Sequence, residues 1–228
     1  MRVHVALSPA EFADAPVSGR TVLAVDVLRA TSAVVAACEA GCRRVVPVPD
    51  EAAAEALRDG AGVVLAGERG GLAIPGFDLG NSPFEYGFEA VAGRTLVFAS
   101  TNGSRALLAA RPARRRLLGA FVNAGAVLDA LAGEEEVAIL CSGKLGSFAL
   151  EDAALAGWLV EGLAARGARA AGAPAVLARR TAPRDAGEVR AVVQGSAQGR
   201  YLRSLGPEYA RDVEFCAGLD TVPQVFEV

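Results

Sequence analysis

Thr21-Val22-Leu23-Ala24-Val25-Asp26-Val27-Leu28-Arg29-Ala30-Thr31-Ser32 runs from an apolar segment through a short polar turn into an alanine-rich one. Val22–Val25 is an apolar run of strand length, and Ala30–Ala40 is rich in Ala and closes at Gly41, as a helix does. Strand, tight turn and helix in that order open a βαβ unit. Its turn lies at the carboxyl end of the strand, where a helix start presents unpaired N–H groups and a partial positive charge. Asp26 stands at the strand tip, with Arg29, Thr31 and Ser32 at the helix start. A carboxylate, a guanidinium and two hydroxyls so close together suit a metal and an oxyanion. The same residues also suit a purely structural use, with Asp26 capping the helix and Arg29 a surface charge.

Outward from this unit the pattern repeats. Strand-like runs fall at Val3–Leu7, Val22–Val25, Arg44–Val48, Val63–Ala66, Thr95–Ala99, Leu117–Phe121 and Val137–Cys141. Helical stretches lie between most of them, at Ala30–Ala40, Glu51–Arg58, Pro83–Ala90, Ser104–Ala110 and Ala124–Leu131. Such alternation predicts an α/β fold with a largely parallel sheet and helices on both faces, a mixed sheet being the allowed variant. Ser147–Arg166 reads as a long helix, and Ala173–Arg180, Ala186–Gln194, Ser196–Leu205 and Pro207–Cys216 as shorter ones, with Val222–Val228 a tail or edge strand. The expectation is one domain over residues 1–228, helical from about residue 173 onward.

Ligands on such sheets lie beyond the carboxyl ends of the strands. Asp26, Glu68, Ser100-Thr101-Asn102, Asn123 and Cys141-Ser142-Gly143 all fall there. Gly67-Glu68-Arg69-Gly70-Gly71 sets a carboxylate and an anion clamp among glycines that let backbone approach a ligand. In Gly80-Asn81-Ser82-Pro83-Phe84-Glu85, Ser82 and Glu85 read as a capping box around Pro83, which leaves Gly80 and Asn81 free to face a ligand. Thr101-Asn102-Gly103 is a second hydroxyl- and amide-bearing turn, without the Gly-Lys-Ser/Thr ending of a Walker loop. Asp152 shares a helix face with Leu155 and Leu159, so its carboxylate points inward and needs a partner, part of which a cation supplies. Glu151 is expected to face solvent or to cap.

Several classes drop out. A net charge of -3 argues against a broad nucleic-acid footprint. No apolar run reaches membrane-spanning length, and Met1–Leu7 alternates like a first strand rather than a signal peptide, which predicts a cytoplasmic protein. Cys38, Cys42, Cys141 and Cys216 form no CxxC pair and read as small packing residues rather than zinc ligands. A cysteine phosphatase loop needs Arg six residues after the cysteine, where Cys141 has Ser147. The single histidine, His4, lies inside a strand and is discounted for a Ser-His-Asp triad. Arg outnumbers Lys by 22 to 1 among the 23 basic residues, so ordinary surface charge is carried by Arg and an isolated Arg carries little information.

In order along the chain, Asp26–Ser32, Gly67–Gly71, Gly76–Pro83, Thr101–Ala106, Phe148–Asp152 and Asp212–Cys216 resemble the 2-phosphosulfolactate phosphatases, the likeness running from about Val22 to Asp220. Ser104 and Ser142 stand where the family pattern has Thr and Ala, both conservative changes. The resemblance implies an α/β, Mg2+-dependent phosphatase. Such an enzyme converts (2R)-O-phospho-3-sulfolactate to (2R)-3-sulfolactate and phosphate, on the route to coenzyme M. Its substrate is small and anionic, and homo-oligomerisation is compatible with it. It implies Asp26, Glu68 and Asp152 as the carboxylates around the metal, with Asn102 as a further oxygen donor. Asp26 and Arg29 are the catalytic candidates, with Arg29, Thr31 and Ser32 holding the phosphoryl group and Thr101, Asn102 and Gly103 supporting it. Arg69 and one of the late arginines are candidates for the carboxylate or sulfonate, by bidentate pairing. Two routes stay open, attack on phosphorus by Asp26 or by water. The competing readings are a non-catalytic anion-binding α/β protein and a phosphatase of the same fold acting on another small phosphorylated acid.

Overall fold

The computed structural model describes residues 1–228. Its strands are β1 (Arg2–Ala6), β2 (Thr21–Val25), β3 (Arg44–Val48), β4 (Val63–Arg69), β5 (Leu72–Ala73), β6 (Thr95–Ala99), β7 (Arg115–Gly119), β8 (Glu136–Cys141) and β9 (Arg169–Ala171). The helices are α1 (Ala30–Glu39), α2 (Glu51–Glu55), α3 (Phe88–Val91), α4 (Gly103–Ala109), α5 (Ala124–Ala130), α6 (Leu150–Ala165), α7 (Ala173–Arg180), α8 (Ala186–Gly195), α9 (Ala197–Leu205) and α10 (Pro207–Cys216).

The strands divide between two sheets. One has the order β7-β2-β8-β1-β9 and is parallel throughout; the other has the order β3-β6-β4-β5, parallel except for the β4–β5 hairpin. The α/β class expected from the sequence holds, but no periodicity along the chain separates one sheet from two. The period-2 alternation of the strands explains the layering. Leu23, Val25, Ile139 and Cys141 face a core shared with α6, while Val22, Ala24, Ala138 and Leu140 face a second core that holds α1 and α4. Val64, Ala66, Leu96 and Phe98 of the other sheet enter that same second core, and Leu65 and Val97 face a third under α2. Helices α1 and α4 are therefore sandwiched between the sheets. Residues Ala30 to Ala37 are all buried, which is why α1 is made of small apolar residues on every side.

Local differences from expectation have local causes. The stretch 83–90 is a 3-10 turn at Pro83–Glu85 followed by α3, because Gly87 is extended (φ -73°, ψ 162°) and interrupts the helix. Ser82 accepts the Phe84 N–H, but Glu85 reaches back to the Gly80 N–H, so the capping box is not completed. Helix α6 begins at Leu150, because Lys144 and Ser147 close a tight turn on each other (2.8 and 2.9 Å). Glu151 is buried, 4% exposed, since α8 and the loop carrying Ser196 cover the face of α6 expected to meet solvent. Cys141 and Cys216 are buried, whereas Cys38 and Cys42 are half-buried, and all four are free thiols.

Candidate active site

A cavity of about 230 Å3 opens where the carboxyl ends of both sheets meet. β2 delivers Asp26, Leu28 and Arg29; β4 delivers Glu68, Gly70 and Gly71; β6 delivers Thr101 and Asn102. The turn after β8 adds Lys144 and Leu145, and α9 closes one side with Gln198 and Tyr201. Asn81 completes the lining. The site thus lies between two sheets rather than along the edge of one.

The Asp26 turn is fixed by the residues around it. Asp26 Oδ1 accepts the Ala30 N–H (3.1 Å), and the Thr31 hydroxyl donates to the Gly119 carbonyl (2.7 Å) while accepting the Asp26 N–H (3.0 Å). The Ser32 hydroxyl donates to the Val27 carbonyl (2.9 Å). The hydroxyls of Thr31 and Ser32 therefore shape the turn and do not reach the cavity. The amides of Ala30 and Thr31 are likewise taken, both by Asp26. Asp26 combines the two uses the sequence left open, as it caps α1 and also lines the cavity.

Arg29 is no surface charge: it is 4% exposed, donates to the Gly71 carbonyl (2.6 Å), and forms an ion pair with Asp212 of α10, itself 2% exposed. Tyr209 lies 5.2 Å from the guanidinium carbon, ring centre to carbon. Glu68 accepts the Thr101 N–H (2.6 Å) and the Gly71 N–H (2.7 Å), which ties the ends of β4 and β6 together. Gly103 is required by close approach, because a Cβ there would lie 2.3 Å from the Ala30 methyl and 2.9 Å from Asp26 Oδ2.

The remaining expected residues stand elsewhere. Asp152 is inward, as its helix face predicts, but its two oxygens accept the N–H groups of Val27 (2.8 Å) and Gly143 (3.0 Å) behind the cavity wall. Arg69 turns away to pair with Glu51 (2.6 Å). Gly80 is held by Glu85 and by the Tyr86 hydroxyl (2.7 Å) and does not line the cavity, whereas Asn81 does. No late arginine reaches the cavity; α9 supplies Gln198 and Tyr201 instead, and α10 reaches it only through Arg29. Lys144, Gln198 and Tyr201 are cavity residues that the sequence motifs do not single out. The single lysine among so many arginines was the signal available for the first, and nothing in the sequence marks the other two.

Charge is concentrated here. Burial raises Asp26 to about 7, helped by the negative charges of Glu68 and Glu151 and opposed by the Ala30 N–H and Arg29. Burial, then repulsion from Asp26 and Glu151, pushes Asp152 well above the ordinary carboxylate range. Cys141 is pushed well up by burial and donates weakly to the Asp152 carbonyl, so its thiol is protonated and sealed from the cavity.

No three His, Cys, Asp or Glu side chains form a ready-made metal cage. The donor set nevertheless suits a hard cation. The Asp26 and Glu68 carboxylates line one cavity, and Asn81, beside them, has a buried Oδ1 with no hydrogen-bond partner. Mg2+ is commonly bound by one or two carboxylates, keeping waters or substrate oxygens elsewhere.

A family model described as 2-phosphosulpholactate phosphatase matches residues 6–228. A protein of Deinococcus radiodurans named probable 2-phosphosulfolactate phosphatase is 44% identical over 87% of this chain and 83% of its own length. Proteins with the same name from Carboxydothermus hydrogenoformans and Clostridium acetobutylicum are 37% and 31% identical, covering 98% and 99% of this chain and 93% and 96% of their own.

Proposed function

The chain belongs to the 2-phosphosulpholactate phosphatase family, and from that premise we propose that it is a phosphoric monoester hydrolase acting on 2-phospho-3-sulfolactate with Mg2+ as its cofactor. The observation that carries this reading is the pairing, in one small polar cavity, of two carboxylates with two cations, Arg29 and Lys144. In an anion-binding module Asp26 and Glu68 would still cap α1 and tie β4 to β6, but their charges would repel the ligand. A metal-assisted phosphatase uses both signs of charge.

In this reading Asp26, Glu68 and the side-chain Oδ1 of Asn81 would hold Mg2+. Its chemistry is to neutralise charge on the phosphoryl oxygens as the ester bond breaks. Arg29 faces the phosphoryl group with its orientation fixed by Asp212 and the Gly71 carbonyl. Such positioning and charge complementarity are most of what phosphoryl transfer asks of a protein. In the metal-free protein burial raises Asp26 to about 7, so Mg2+, which would take the ionised carboxylate, would bind with release of a proton near neutral pH. Asp152 is not assigned to the metal, because it lies behind the cavity wall, bound to the Val27 and Gly143 N–H groups, whereas Asp26 and Glu68 line the cavity itself. The products are 3-sulfolactate and inorganic phosphate, with water supplying the oxygen.

The test is release of phosphate from 2-phospho-3-sulfolactate and from p-nitrophenyl phosphate, with Mg2+ and with chelator. Release from the first in Mg2+, lost on chelation, is expected. Binding without turnover in Mg2+ returns the molecule to the anion-binding class. Efficient turnover of p-nitrophenyl phosphate alone points to another phosphorylated acid.

A further inference from the structure

Arg29 and Lys144 are the two cations of the cavity, and they differ in what surrounds them. Arg29 is already neutralised by Asp212. Lys144 has no carboxylate within ion-pair distance. Its ammonium donates to the side-chain oxygen of Gln198 and lies 4.9 Å from the ring centre of Tyr201. Both contact partners are neutral, so the ammonium faces the cavity without a direct ion pair, and the Glu151 charge acts on it only from beyond ion-pair distance. Its position is built. Gly143, at φ +61°, admits no Cβ, since one would lie 2.0 Å from the Ser147 carbonyl oxygen. The Gly143 N–H donates to Asp152 (3.0 Å), and the Leu145 N–H donates to Asn102 Oδ1 (2.9 Å). The turn carrying Lys144 is thereby fastened to α6 on one side and to the cavity wall on the other. Tyr201 is anchored in turn by its hydroxyl on the Gly70 carbonyl (2.8 Å).

We propose that Lys144, with Gln198, is the specificity-determining pair of the site and holds the sulfonate of the substrate. The inference rests on the phosphosulfolactate reading above. An ammonium is a compact charge with three rotatable donors, which suits a tetrahedral group with three equivalent oxygens; a planar carboxylate is better matched by a guanidinium fork. Gln198 gives its oxygen to Lys144, which leaves its amide N–H groups free to donate to the same sulfonate. Lys144 and Gln198 therefore choose among phosphorylated acids, while Asp26, Glu68 and Arg29 deal with the phosphoryl group that all of them share.

The experiment compares wild type, Lys144→Met and Lys144→Arg on 2-phospho-3-sulfolactate and on 2-phospholactate, which lacks only the sulfonate. Binding of 3-sulfolactate and of lactate is measured alongside by calorimetry, with melting curves as the control for folding. In Lys144→Met, KM for the sulfonated substrate rises about tenfold or more, the scale of one charge-assisted hydrogen bond. The preference for sulfonated over unsulfonated substrate falls by a similar factor, with Lys144→Arg intermediate. Loss of equal size on both substrates, or unchanged 3-sulfolactate affinity in Lys144→Met, overturns the proposal. A wild type that binds 3-sulfolactate through Lys144 without hydrolysing the phosphate ester keeps the sulfonate site and sinks the enzyme reading. Failure of wild type to bind 3-sulfolactate at all sinks both.

Discussion

Arg29 and Asp212 stand 183 residues apart in the chain and form an ion pair whose side chains are 4% and 2% exposed. One arm of the pair comes from the residue that precedes α1, the other from α10, so the C-terminal helix holds a cavity residue of the N-terminal βα unit. Asp212 also accepts the Ser82 hydroxyl (2.6 Å), next to the cavity residue Asn81. Replacing Asp212 by Ala leaves the Arg29 charge buried with one carbonyl for a partner. Breaking such a pair costs about 3–5 kcal/mol, which denaturant unfolding at pH 7 measures. Activity falls with it, and a stable, fully active variant shows that Arg29 needs no fixed orientation.

Asp26→Asn is nearly isosteric and keeps an oxygen for the Ala30 N–H, so the variant folds and turnover is lost. Its pH dependence is a second readout. The folded-state value of Asp26, about 7, lies above its ordinary 3.8, so between those values the folded protein holds this proton more tightly than the unfolded chain does. The Asp26 contribution to the stability of the chelated wild type therefore falls as pH rises from about 4 to about 7, by on the order of a few kcal/mol, and levels off above. The Asn variant shows a shallower fall. It does not become flat, because Asp152 and Glu151 are raised by burial and act in the same direction. Equal slopes in the two proteins remove Asp26 from the titration.

Asp152→Ala removes the acceptor of two buried N–H groups, those of Val27 and Gly143. Part of the loss is offset by no longer burying a carboxyl group, and a net cost of about 2–3 kcal/mol is expected. The rise in melting temperature on adding Mg2+ persists, because Asp26 and Glu68 remain. Disappearance of the Mg2+ response in this variant, with the fold intact, makes Asp152 a ligand after all.

Gly103→Ala puts a methyl group 2.3 Å from the Ala30 methyl and 2.9 Å from Asp26 Oδ2. The start of α4 has to move away from α1, at a cost of about 1–3 kcal/mol, the usual range for overpacking. Asp26 is displaced with it, and kcat falls by more than the stability change accounts for. A variant with wild-type kcat and melting temperature shows that the two turns are not tightly coupled.

Local pattern along the chain specifies the βα units, the polar turns at the strand ends and the family. Each is written in neighbouring residues: the 2.0 and 3.6 periods, the Gly and Pro stops, and six short motifs in order. Asp26, Arg29, Glu68, Asn81, Thr101 and Asn102 are legible for that reason, since each sits at a strand end, in the turn that follows it or just ahead of a helix cap, places that follow from local pattern, and all six line the cavity. Tertiary structure decided what those patterns leave open. Whether strands join one sheet or two depends on pairing between distant segments, and here α1 and α4 separate β2 from β6. Which atoms a hydroxyl or carboxylate meets depends on packing too, so Thr31, Ser32 and Asp152 carry the chemistry of a binding site but satisfy backbone groups instead. The helices from α8 onward show no metal or phosphate pattern. Only their docking over the strand ends brings Gln198 and Tyr201 to the cavity and Asp212 to Arg29.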